Sequence, residues 1–286
     1  DKTMQYETIR YETEGPIAWI TLNRPEKLNA INQAMAKELL SASDRAQLDD
    51  TVRVIVVKGE GRAFSSGLDL SPRIGQDLES EEDAARIKSE LKSVFDAIMR
   101  FWDSPKPTIA AVHTYCIGAG MELALACDLT VADPDCRFGS PEVLYGSGAI
   151  ALLLPFLCGP KRAKEILLTG SDRFSAKKVE SWGLINRVVS EDSLFACARE
   201  RALEIARNDR LAVQVTKQAL NATMEIAAMR DALKHALDLA STLETTATPQ
   251  TLEFDEILKN RGVRAALEWR EEKLGHHGRV MRHEIG

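Results

Sequence analysis

Glu122 lies just beyond the turn Gly118-Ala119-Gly120, and Glu142 follows Pro141 in the second loop, SPEVLYG. Two carboxyl groups in one pocket settle at different protonation states, so that one donates a proton while the other accepts one. Glu122 is surrounded by small and apolar residues (MELALAC). Burial of that kind raises a carboxyl pKa, while the helix start on which it sits favours the charged form. A second Gly-containing loop, Ala63-Phe64-Ser65-Ser66-Gly67-Leu68-Asp69-Leu70, supplies the remaining ingredient. Gly67 turns the chain so that the Leu68 N–H points outward, and the helix start leaves the Ala119 N–H without an intrahelical acceptor. If the strands carrying these two amides are neighbours, both reach one oxygen, and each such donor stabilises an oxyanion by a few kcal/mol. The chemistry this allows is polarisation of a carbonyl coupled to movement of a proton.

Other readings of the same residues are weaker. Taken alone, a Gly-rich strand-to-helix turn needs no ligand, and a lone Glu such as Glu142 is usually a solvated surface group. A dinucleotide site would require the third Gly of GxGxxG, which is missing here, and Glu122 would repel the pyrophosphate. Ser65 and Ser66 sit outside any GxSxG elbow, with only His113 nearby as a base.

The elements that must position these groups can be read from periodicity. Strands are expected at Ile9–Glu12 and Ile17–Leu22, across the turn Thr13-Glu14-Gly15-Pro16. Asn32 caps a helix carrying Met35, Leu39, Leu40 and Ala46. Val54–Val57 and Thr108–Val112 are short, continuously apolar runs, as in strands buried on both faces. Ile87, Leu91, Val94, Phe95 and Ile98 stripe an amphipathic helix over 81–101, which Pro105 and Pro107 stop. Leu129–Ala132 is a further strand, so the first half repeats strand, Gly-rich loop and helix, and such units can stack into a spiral. Ala149–Leu157 and Lys161–Thr169 are expected to be helices, Ser175 to cap a short one, and Leu184–Val189 to be a strand. After Ser190 the chain reads as almost wholly helical: 192–207, 211–221, 222–244, 249–259 and 263–274. Apolar stripes without an adjoining sheet often meet a partner subunit. The division expected is a core over 1–200 carrying the site, a helical oligomerisation region over 201–275 and a polar tail over 276–286. Ser71–Glu82 reads as a polar loop over the pocket.

The 286 residues suffice for one large domain, or one plus a smaller helical part. With 44% hydrophobic and 28% charged residues the chain is ordinary for a globular fold. The 37 basic against 43 acidic residues, a net charge of −6, argue against nucleic-acid or membrane-surface partners. No apolar run reaches the roughly 20 residues a membrane span needs, and the first residues do not read as a secretory signal. The default compartment is cytoplasmic, with an organelle matrix open if a transit peptide has been removed. The five cysteines (Cys116, Cys127, Cys136, Cys158, Cys197) show neither CxxC pairs nor Cys/His spacing, which suits reduced thiols and no structural zinc. His276, His277 and His283 fall in the polar tail and are read as solvated, with no metal expected.

The segments NRPEKLNAIN, AFSSGLDL, CIGAGMELALACDL, FGSPEVLYG and LLTGSDRFSAKKVESWGLINRVV, in this order, resemble the enoyl-CoA hydratase/isomerase (crotonase) superfamily, over about residues 6–275. The resemblance implies an α/β fold of stacked ββα units with a C-terminal helical region, assembling as trimers or dimers of trimers around acyl-CoA thioester substrates. It implies that Leu68 and Ala119 supply the oxyanion-hole amides and that Glu122 and Glu142 are the acid/base pair. Lys27, Leu28 and the segment Ala63, Ser65, Ser66, Gly67, Asp69 and Leu70 match regions about the coenzyme A and acyl groups, with Gly118 beside them. No metal or redox cofactor is required. The activity implied is hydration of a 2-enoyl-CoA to a 3-hydroxyacyl-CoA; a Δ3,Δ2-enoyl-CoA isomerase and a non-catalytic acyl-CoA binder are the alternatives. After Glu142, hydratases carry a Pro-Gly-Ala-Gly-Gly-like loop where this chain has GSGAIALLLP. Dienoyl-CoA isomerases carry an extra acid near the place of Ile150, so that reaction is less favoured. Tyr145 is expected to face the pocket.

Overall fold

The computed structural model describes residues 6–71 and 81–273. The tail with His276, His277 and His283, and residues 72–80 of the expected pocket loop, lie outside the described residues.

Strands β1 (Ile9–Glu14) and β2 (Ile17–Leu22) form an antiparallel hairpin around Gly15, whose φ of 54° suits a residue without a Cβ. Strand β2 pairs in parallel with β3 (Val54–Gly59), β3 with β4 (Thr108–Val112), β4 with β6 (Leu129–Ala132) and β6 with the short β9 (Arg187–Val188). Every residue of β4 is buried, as its continuous apolar run requires. Successive side chains alternate between two cores. Ala18, Ile20, Ile55, Val57, Ala110 and Val112 face helices α1 (Gln33–Leu48), α2 (Glu81–Asp103) and α3 (Ala119–Ala126). Ile17, Trp19, Val54, Val56, Ile109 and Ala111 face α6 (Leu194–Ala206) through Leu194, Ala198 and Ala202. A second sheet holds β5 (Tyr115–Ile117), β7 (Arg137–Gly139) parallel to it, and β8 (Phe174–Ser175) antiparallel to β7. The chain is thus a mixed α/β fold built on a mainly parallel sheet.

Local signals act as expected at several helix starts. Asn32 Oδ1 accepts from Met35 N at 2.8 Å at the head of α1, and Ser175 Oγ accepts from Lys178 N at 3.3 Å at the head of α5 (Ala176–Ser181). Two expectations are corrected. Residues 149–153 are irregular, and α4 spans Leu154–Thr169 with a break at Gly159. The Ile150 amide in that stretch is engaged by a carboxylate instead of a helical carbonyl. The strand expected at Leu184–Val189 shrinks to the two residues of β9, because Leu184 N bonds back to Val179 O. The helical tail divides as α7 (Arg210–Ile226), α8 (Met229–Glu244) and α9 (Pro249–Lys273), with Gly262 (φ 79°) breaking the last.

Candidate active site

Two loops meet at the C-terminal edge of the second sheet. Ser65 N donates to Tyr115 O at 2.9 Å and Ile117 N to Ser65 O at 3.1 Å, so the chain before Gly67 runs beside β5. On its other side Ile31 N donates to Gly67 O at 2.8 Å, and Asp69 N to Ile31 O at 3.0 Å. This parallel bridge engages the residues on either side of Leu68, so the Leu68 amide faces away from Ile31. A Cβ on Gly67 (φ 101°) would stand 3.1 Å from Ile117 O and 3.7 Å from Ala119 N, which brings the second donor alongside. Ala119 opens α3, whose first bond is Glu122 N to Gly118 O. Among the described residues neither the Leu68 nor the Ala119 amide has an acceptor.

Glu122 is 6% exposed. Its Oε1 accepts from Ile150 N at 2.9 Å, and its Oε2 is buried without a partner among the described residues. Burial, then the charge of Glu142, pushes its pKa up to about 8 against the opposing pull of the Ala151 and Ile150 amides. Glu142 opens a short 3₁₀ turn (Glu142–Tyr145) and takes a hydrogen bond on Oε2 from Ser140 Oγ at 2.5 Å. Burial raises its pKa as well, opposed by that hydrogen bond and by Arg270. Glu142 Oε1 occupies the space a Cβ on Gly118 would fill, so glycine at 118 (φ 53°) admits the carboxyl to the mouth of the amide pair. Leu68, Ala119, Glu122 and Glu142 all line one cavity of about 160 Å³. A carbonyl oxygen held by the two amides would have both carboxyls within the same enclosure, and the pair retains a proton near neutral pH.

A second cavity, of about 410 Å³, joins the first along Leu68, Asp69, Leu70, Glu142 and Tyr145, which line both. Lys27, Leu28, Ser66 and Gly67 line the larger one, as expected for an elongated thioester. Tyr145 faces the cavities and is stacked on Phe254 at 4.8 Å. Three expected contacts are corrected: Gly118 lines neither cavity and serves instead to make room for the Glu142 carboxyl, and the other two lie beneath the loop. Ala63 and Ser65 are fully buried and line neither cavity: Ala63 O accepts from Asn29 Nδ2, and Ser65 Oγ bonds Asn29 O and Gly67 N. They shape the loop from beneath. Asp69 lines both cavities but is committed to Arg24 at 2.8 Å. Burial pushes its pKa up, yet bonds from Ser71 and the Arg24 guanidinium leave it below the ordinary value. Sequence reasoning missed Glu244, Asp255 and Arg270, which reach the cavities from α8 and α9. No local pattern marks them, since they meet the site only through tertiary packing.

Residues 12–270 match the profile of the enoyl-CoA hydratase/isomerase family. The chain belongs to that family. Among its relatives in this family, mevalonyl-CoA hydratase of Aspergillus fumigatus is 38% identical over 225 residues, covering 78% of this chain and 81% of the relative. 2,3-Dehydroadipyl-CoA hydratase of Escherichia coli is 34% identical, covering 73% of this chain and 79% of the relative. An enoyl-CoA hydratase/isomerase structure from Xanthobacter autotrophicus superposes with a TM-score of 0.90 at 42% identity, covering 94% of this chain and 99% of that one. The crotonase-family fold expected from the motifs is therefore the fold of this chain.

Proposed function

We propose that this member of the family hydrates a 2-enoyl-CoA to a 3-hydroxyacyl-CoA. The observation that carries this reading is the enclosure of two carboxyls, Glu122 and Glu142, with two amides, Leu68 N–H and Ala119 N–H, that have no acceptor among the described residues. The hydratase names of its relatives support it.

The thioester oxygen sits between the two amides, with the acyl chain in the smaller cavity and the coenzyme A arm along Lys27, Leu28 and Ser66 in the larger. The ionised carboxyl of the pair takes a proton from water as the water oxygen bonds the β carbon. Electrons of the double bond move toward the thioester oxygen, where the amides and the α3 N-terminus stabilise the negative charge. The protonated carboxyl then delivers its proton to the α carbon, and the pair again holds one proton. Because the oxygen gains charge only during reaction, this binding favours the transition state over the substrate.

The test is a substrate panel with product analysis. Crotonyl-CoA, longer enoyl chains, and hydroxylated and carboxylated acyl groups of the kind named in the relatives are each offered to the folded protein. Loss of enoyl absorbance with formation of the 3-hydroxy product is expected for at least one. Glu122→Gln and Glu142→Gln should each lower kcat by about 10²- to 10⁴-fold. Full activity surviving either substitution would point instead to a Δ3,Δ2-isomerase shuttling its proton on one carboxylate. Tight thioester binding with no turnover across the panel would leave a binding protein.

A further inference from the structure

The 3₁₀ turn that carries Glu142 is gripped from behind by the loop after α4. Ser140 N donates to Ser171 O at 3.3 Å, and a Cβ on Gly139 would overlap Ser171 O and Asp172 Cα, so the two backbones are in direct contact. Asp172 in turn accepts from Arg270 Nη2 at 2.7 Å. Glu271 lies 3.3 Å from Arg270 and bonds Arg173, whose Nε stands 3.8 Å from Asp172. The Asp172, Arg270 and Glu271 side chains are 12%, 8% and 6% exposed, so this balanced cluster of two acids and two arginines is largely removed from water. Next to it Trp269 packs on Phe254 at 5.8 Å, and Phe254 stacks on Tyr145 at the far end of the Glu142 turn. Helix α9 thus holds the turn at both ends: at Gly139–Ser140 through Asp172, and at Tyr145 through its aromatic residues.

We infer that Arg270 is a positioning residue for Glu142: through Asp172 it fixes the backbone behind the Glu142 turn and aims that carboxyl at the pair of amides. The inference rests on the hydratase reading for the reaction it serves, but not for the geometry. A buried ion pair broken on one side leaves an uncompensated charge, so the surroundings move to relieve it. The segment in contact with Asp172 is the one that sets the direction of Glu142. Arg270 also lines the larger cavity with Glu142, and its positive charge favours the ionised carboxyl. Among the described residues, the acidic groups that share the smaller cavity with Glu142 are Glu122 of α3, Asp69 of the Gly67 loop, Glu90 of α2, Glu244 of α8, which opposes Arg270, and Asp255 of α9; Asp172, Arg173 and Glu271 flank Arg270 itself.

The experiment compares Arg270→Met, Arg270→Lys and Asp172→Asn in the full-length protein, with folding checked by circular dichroism. The first readout needs no substrate: the Glu142 carboxyl is titrated by ¹³C NMR after labelling, and assigned through Glu142→Gln. Arg270→Met should raise the Glu142 pKa, Arg270→Lys should return it toward the parent value, and Asp172→Asn, which removes one of the two carboxylates opposing the arginine charge, should lower it. The second readout uses whichever enoyl-CoA the parent turns over. A misplacement of about 1 Å at a reacting group costs up to about 100-fold, so Arg270→Met and Asp172→Asn should each lower kcat by about 10- to 100-fold with little change in KM. On a Glu142→Gln background neither should lower the residual rate further, because residues acting as a unit are not additive. An unchanged Glu142 titration in folded variants overturns the inference. So does an equal loss in both backgrounds, and so does a rise in KM at unchanged kcat, which would make Arg270 a substrate contact. Absence of turnover in the parent would refute the hydratase reading and leave the titration to decide this one.

Discussion

At the scale of single residues the site turns on one proton shared by two buried carboxyls. Glu122 titrates near 8 instead of 4.5 because burial, reinforced by the charge of Glu142, disfavours its ionised form. The activity should therefore fall as pH rises through about 8, when the pair gives up its last proton, and a rate profile in kcat/KM measures this directly. Glu142→Gln removes the like charge and should lower the Glu122 pKa. The same shift bears on stability. Below pH 4.5 Glu122 is neutral in both folded and unfolded chains; between 4.5 and 8 only the unfolded chain releases the proton, so stability is lost as pH rises through this window. At 1.36 kcal/mol per unit the loss amounts to a few kcal/mol above pH 8. Glu122→Gln should accordingly melt higher than the parent at pH 9 and about level with it at pH 5; a parent that melts higher at pH 9 would contradict the buried, raised Glu122. Glu122, Gly67 and Gly118 were legible in the sequence because a charge on an apolar helix start, or a glycine at a turn, stands out against its neighbours, whereas Glu142, alone indistinguishable from a solvated Glu, was singled out only through the family resemblance. The reason for Gly118 was not legible: it makes room for an oxygen that belongs to Glu142, remote in the chain.

At the scale of elements, the strands that carry the site were readable where packing imposes a pattern. The apolar runs of β3 and β4 announce burial on both faces, and Asn32 announces the head of α1. The second sheet was not readable, because strands of two or three residues such as β5, β7 and β8 show no period. Nor was the irregular stretch before α4: its apolar residues suit a helix, but the Ile150 amide is held by Glu122. The loop before Gly67 depends on one residue the sequence gives no reason to single out. Asn29 is fully buried with φ 54°; its Nδ2 donates to Glu60 O at 2.9 Å and Ala63 O at 2.8 Å, and its Oδ1 accepts from Arg24 N at 2.8 Å. It ties the segment ahead of α1 to the loop that presents Leu68. Asn29→Ala would leave these buried groups unpaired, at about 1–3 kcal/mol for each group left unsatisfied. The expected outcome is a lower melting temperature together with a kcat loss from the slackened Leu68 amide. A melting temperature within a degree of the parent would show that the strut carries no weight.

At the scale of the whole molecule, the helices after residue 201 have two faces with different duties. Sequence reasoning assigned them to oligomerisation from their apolar stripes, but their contribution to the cavities through Glu244, Asp255 and Arg270 depends on contacts with residues about a hundred positions away, as between Arg270 and Asp172. Helix α7 shows the division most simply. Its inner side is pinned by Lys217, which pairs with Asp128 at 2.7 Å and donates to Phe101 O and Lys106 O at 3.2 and 3.3 Å. Its outer side carries Leu211, Val215 and Ile226, which are 67%, 52% and 87% exposed. At 3.6 residues per turn these three fall within about 60° of one another and form one stripe, while Leu220, 64% exposed, lies on the opposite side of the helix. We propose this stripe, on a helix held from its inner side by Lys217, as a contact surface that trimeric assembly of the kind the family resemblance implies would cover. Val215→Asp combined with Ile226→Asp should shift the mass in light scattering from a multimer toward the 31.6 kDa chain, with circular dichroism retained because neither side chain reaches the core. Light scattering that finds the parent monomeric at micromolar concentration, or the double variant still fully assembled, would remove α7 from the interface and leave its outer stripe without a role in assembly.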